Sequence, residues 1–149
     1  MNKKYDSFED LFKDIKNDSL SVMNNEVRCE TEETLHEFSK DIADMYPEKT
    51  WIDRYERNPN DEDAFKNRKN IVSDVYSDGD LINIETYNIA KGEIYDTDKY
   101  LDEIIETGEG YQFGDPPPRP VVQMTQSIID MIAENIIKKG FKNRGWDIK

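Results

Sequence analysis

The chain has 149 residues, enough for one domain of ordinary size, but apolar and charged residues each make up 36% of it, so the core must be thin or completed by a neighbouring subunit. A net charge of −13 argues against nucleic-acid binding of the ordinary kind, which is built from clustered Lys and Arg, and the single cysteine, Cys29, rules out an internal disulfide. No apolar run approaches the roughly 18 residues of a membrane span, so the expectation is a protein made in a reducing cytoplasm with no membrane partner, while eight Tyr, six Phe and two Trp argue against global disorder.

In chain order, the first predicted helix runs from Ser7 to Ile15, with Ser7 as its cap and Phe8, Leu11, Phe12 and Ile15 on one face, which reads as a packing face. Asn17-Asp18-Ser19 interrupts that pattern, and Leu20, Met23 and Val27 mark a further short helix or an irregular connection. A second helix is predicted from Thr31, as cap, to Tyr46, with Leu35, Phe38, Ile42 and Met45 inward and Pro47 as its stop. His36 lies beside that stripe and reads as a surface or boundary residue, because no second His and only one distant Cys could join it in a metal site of His and Cys ligands. Residues 47–70 form a polar loop, either functional or simply a solvated excursion. Asp78-Gly79 then signals a hairpin between Ile71–Tyr76 and Leu81–Ala90, with a third strand suggested at Glu93-Ile94-Tyr95.

Residues 100–107 fit a short helix or a turn leading into an extended piece, followed by glycines 108, 110 and 114 and the strap Asp115-Pro116-Pro117-Pro118-Arg119-Pro120, whose rings hold the backbone extended. The C-terminal helix is expected from Arg119 or Pro120 to Lys139, with Val121, Thr125, Ile128, Ile132 and Ile136 in one stripe, Gly140 as a left-handed cap and Phe141 packing back. Trp146, in the polar tail 142–149, meets either another chain or its own domain. The predicted fold class is α+β, one domain over residues 1–149. N-terminal helices (1–46) and a C-terminal helix (119–141) pack on a small antiparallel sheet of three to four strands, which lies with the strap in 71–118.

Charge is unevenly distributed. Residues 74–115 sum to −10 and residues 119–149 to +3, so copies of the chain could meet head to tail, although solvated charge alone explains the same pattern. Asp96, Asp98, Asp102, Glu103 and Glu106 are the densest acids, but only Lys99 accompanies them, short of the acid-plus-base set of a nuclease. Gly108-Glu109-Gly110 lacks the Lys-Ser or Lys-Thr of a phosphate loop. The reading is a non-enzyme without cofactor or metal.

Glu106 and Gly108, followed by Pro118, Arg119 and Pro120 and then a long helix, resemble the tail-completion (head-tail joining) proteins of tailed phages, the group that includes lambdoid minor tail protein Z. Glu109 stands where that family usually has Thr, Val121 where it has Phe, and Pro47-Glu48-Lys49-Thr50-Trp51-Ile52-Asp53-Arg54 has Trp in place of the Gly of a third motif. The resemblance spans residues 30–140. It implies a structural protein of the neck or upper tail, assembled in the host cytoplasm as a ring, a hexamer before other states. Its neighbours would be the tail terminator or tail tube and the head connector. Interface positions on this reading are Glu106, Gly108, Tyr111, Phe113, Pro118, Arg119, Pro120 and Trp146, and lumen-facing acids are Asp96, Asp98, Asp102 and Glu103. The alternative from another class is a stand-alone acidic protein that mimics DNA.

Overall fold

The computed structural model describes residues 4–44, 65–90, 105–108 and 118–148. Met45, Pro47, the third strand suggested at 93–95, glycines 110 and 114 and the first two prolines of the strap lie outside them. The described part is α+β, with helices beside a two-stranded antiparallel sheet.

Ser7 caps α1 (Phe8–Val22) as expected: its backbone is extended and its Oγ accepts from the Asp10 amide at 3.1 Å. The interruption expected at Asn17-Asp18-Ser19 does not occur. α1 runs through a π-helical turn (Met23–Val27) into α2 (Arg28–Asp44), so one continuous helix replaces the two predicted. Ser19, one of the residues that suggested a break, bonds back onto its own helix instead, its Oγ donating to the Ile15 carbonyl, and further on the Asn24 and Asn25 amides donate likewise to the carbonyls of Leu20 and Ser21. Thr31, expected as a cap, donates to the Val27 carbonyl at 2.8 Å.

The π turn also explains why the periodicity misled. The buried line runs Val22, Val27, Thr31, Leu35, Ser39, Ile42. A five-residue step in an α-helix would swing Val27 roughly 140° away from Val22, whereas the wider π turn returns both to one face.

β1 (Ile71–Asp78) and β2 (Leu81–Asn88) pair with Ile71 opposite Asn88 and Asp78 opposite Leu81, closed by Gly79-Asp80 with Gly79 at φ 61°. Burial is confined to the base of the hairpin. There Asn88, fully buried, donates to the Phe65 carbonyl and accepts from the Ala90 amide, while Leu81 at the tip is exposed. The core joins Leu35 and Ile42 of α2, Ile71 of β1, Ile105 and Val121, flanked by Phe38 and Phe65.

The C-terminal helix, α3 (Val121–Asn143), lies antiparallel to the long N-terminal helix, since Val121 packs in the Leu35 and Ile42 cluster while Gly140 meets Val22. Its deeply buried positions are Val121, Thr125, Ile129 and Gly140, and Ile128, Ile132 and Ile136 are half-buried. Gly140 is therefore not the cap expected of it. It sits inside the helix, where a Cβ would lie 2.9 Å from both Val22 methyls. The left-handed residue is Gly145, at φ 88°.

Gly140→Ala should lower stability by about 1–3 kcal/mol despite the better helix propensity of Ala, because overpacking outweighs it. Chemical denaturation checks this, and adding Val22→Ala should cost less in that background than alone. A midpoint that rises in the single variant would show that the two helices can separate freely.

Candidate functional site

The residues of the two resemblance motifs meet at the start of α3. Residues 105–107 are helical, and the Ile105 carbonyl accepts from the Arg119 amide at 3.0 Å. Pro120, at φ −76° and ψ 66°, makes an inverse γ-turn closed by the Val121 amide donating to the Arg119 carbonyl at 2.7 Å. This turn delivers the chain into α3 with no side-chain cap from Pro120 itself. Glu106 supplies what is missing: Oε2 accepts from the Val122 amide at 2.8 Å and Oε1 from the Gln123 amide at 3.1 Å. A carboxylate here satisfies two orphan donors and opposes the positive end of the helix dipole. Gly108, buried and at φ 74°, lets the chain leave that turn through left-handed backbone. Glu106, Gly108, Pro118, Arg119 and Pro120 thus form one junction, in which the described partners of the Glu106 carboxylate are backbone amides.

Trp146 lies at the other end of α3. The Trp146 amide donates to the Phe141 carbonyl and the Gly145 amide to the Lys142 carbonyl, a Schellman motif with Gly145 as its left-handed residue. Beyond it the indole stacks on Tyr5, stands edge-on to Phe141, with both ring centroids 6.1 Å away, and donates Nε1 to Asp18 at 2.6 Å. Arg144 grips the π turn: its guanidinium donates to both oxygens of Glu26, at 2.6 and 3.1 Å, to Ser21 Oγ and to the Gly140 carbonyl. The Glu26 carboxylate raises the Arg144 pKa further above its ordinary value. This clasp was missed in the sequence, although its signal was present: an aromatic at 141, Gly at 145 and an aromatic at 146 have the spacing of a Schellman cap.

Tyr111, Phe113, Asp96, Asp98, Asp102 and Glu103 lie outside the described residues. The exposed apolar surface that is described sits elsewhere. Phe8 and Phe12, expected in a packing face, are instead 78% and 64% exposed on α1, with only Leu11 and Ile15 of that stripe half-buried, and Met124 and Met131 are exposed on α3. Phe38, Gln123, Met124, Ser127 and Ile128 line a shallow, mostly apolar depression of about 230 Å³. That is below the roughly 300–1,000 Å³ of ordinary small-molecule sites. No described helix is long and apolar enough to cross a membrane.

The sequence matches the YomN family, a phage-derived family, over residues 7–143, from the cap of α1 to the last residue of α3. No curated protein and no solved structure matches the chain.

Glu106→Ala should cost about 1–2 kcal/mol, a typical loss for a capping side chain, measured by urea denaturation. An unchanged midpoint would mean that water caps α3 equally well. Arg144→Ala should cost about 1.5–3 kcal/mol, as for hydrogen bonds to a charged partner, and should increase the solvent exposure of Trp146, read as a red shift in its fluorescence. An unshifted spectrum would show that the tail stays docked without the ion pair.

Proposed function

We propose, from the premise that this chain belongs to the YomN family, a phage-derived family, that it is a structural protein of a tailed phage, a prophage or a phage-tail-like particle. Its place is the neck or upper tail end, where it completes the tail and joins it to the head. The observation that supports this reading most is the junction at the start of α3. Glu106 and Gly108 on one side, and Pro118, Arg119 and Pro120 on the other, are the residues on which the resemblance to tail-completion proteins rests, and they sit together around one helix terminus.

The work of such a protein is association rather than turnover. A strap held rigid before docking loses little entropy on binding. The exposed Phe8, Phe12, Met124 and Met131 offer apolar area to neighbours. The acidic middle and basic end favour a heterologous contact that closes a ring of copies, a hexamer in the assembled particle. Above and below the ring would lie the head connector and the tail terminator or tail tube, with assembly in the host cytoplasm. Asp96, Asp98, Asp102 and Glu103, within the segment of net −10, would face the lumen and repel passing DNA.

Deleting the gene from its phage or inducible prophage should leave DNA-filled heads apart from tails, or malformed tail ends, in negative-stain electron micrographs of the lysate. Normal infectious particles would overturn the joining role. Reversing the charge of Asp96, Asp98, Asp102 and Glu103 together should impair DNA ejection and infectivity with particles still formed. Undiminished infectivity would remove the lumen assignment alone.

A further inference from the structure

One turn of α2 presents Glu33, His36 and Glu37, spaced i, i+3 and i+4, and one ligand atom from each lies within 4.8 Å of the others. The Glu-x-x-His spacing puts a carboxylate and an imidazole over the same patch of helix, as in carboxylate metal sites of helical bundles, and Glu37 adds a second carboxylate.

An independent contact orients the imidazole. His36 Nε2 lies 3.1 Å from the Lys66 carbonyl, on the segment that leads into β1. A carbonyl oxygen only accepts, so Nε2 carries a proton, and Nδ1 is the ring nitrogen left to offer a lone pair to a metal in the neutral imidazole. Metal-bound histidines are commonly held in this way by a carbonyl on the second nitrogen. Both carboxylates face cations, Glu37 with Lys40 Nζ at 2.8 Å and Glu33 with Arg68 Nε at 3.9 Å.

We propose that Glu33, His36 and Glu37 bind one divalent transition-metal ion of the zinc class, through one oxygen of each carboxylate and Nδ1 of His36. Donors around such an ion stand about 3–3.5 Å apart, so the exposed glutamates close the remaining distance by side-chain rotation, with Lys40 released from Glu37. An imidazole in the set favours zinc-class ions over Mg²⁺ and Ca²⁺, which take oxygen ligands. Three protein ligands leave a position for water or for a group from another molecule.

The chain contains a single histidine, so its imidazole nitrogens are assigned without ambiguity by long-range proton–nitrogen NMR. Titrating Zn²⁺ into the full chain at constant pH should move the Nδ1 resonance to saturation at one equivalent, with Nε2 remaining protonated. Mg²⁺ at the same concentration should leave both in place. The isosteric pair Glu33→Gln and Glu37→Gln, which preserves the His36 contact to Lys66, should weaken binding by about tenfold or more. Imidazole resonances unmoved by excess Zn²⁺, a shift at Nε2 instead of Nδ1, or unchanged affinity in the double variant would each overturn the proposal.

Discussion

Nearly every described feature depends on α3 lying closely along the N-terminal helix. The contact is fixed at two distant points. At one, Val121 enters the cluster of Leu35, Ile42, Ile71 and Ile105, and at the other Gly140 touches the methyls of Val22. Between them Val27 and Ile129 are buried together with small polar residues that satisfy themselves. Ser39 donates to the Leu35 carbonyl and Thr125 to the Val121 carbonyl, both buried. Such residues let two backbones approach without leaving a polar group unpaired. A chain with as many charged as apolar residues thereby obtains a dense helical interface from few large side chains.

Each end of α3 is then secured by chain that is remote in sequence. Glu106 closes the N-terminus from the preceding segment, and Arg144 and Trp146 fold the C-terminus back on α1 and the π turn. The π turn serves this arrangement in two ways. It keeps Val22 and Val27 on the buried face, and it sets Glu26 where the Arg144 guanidinium reaches both carboxylate oxygens. The pair is only partly exposed, with 18% of Arg144 and 28% of Glu26 accessible, so it is screened less than a free surface pair.

Surface left over from this packing has a consistent character. α1 carries Phe8 and Phe12 outward, and the hairpin shows Leu81 and Tyr76 at its outer end. Exposed aromatic and aliphatic residues on a strongly acidic protein suit contacts with other proteins more than contacts with polyanions. That character agrees with membership of a phage-derived family and with the assembly role proposed for the chain.

Local chemistry was legible in the sequence wherever it acts over a few residues. Ser7 as a cap, the hairpin at Asp78-Gly79, the α+β class and the existence of a long C-terminal helix all follow from side chains bonding or packing against near neighbours. What the tertiary structure decided is the part that depends on remote partners. Gly140 looked like a helix stop because glycine usually is one, but its role follows from Val22, which lies far away in the chain. The polar run at Asn17-Asp18-Ser19 looked like a break because propensity weighs residues singly, whereas the helix continues through a π turn braced by Arg144 from the opposite end of the chain. Glu106 stood out in the sequence only as an interface position implied by the resemblance; its action as a cap required α3 to be brought to it, and no local pattern encodes that meeting.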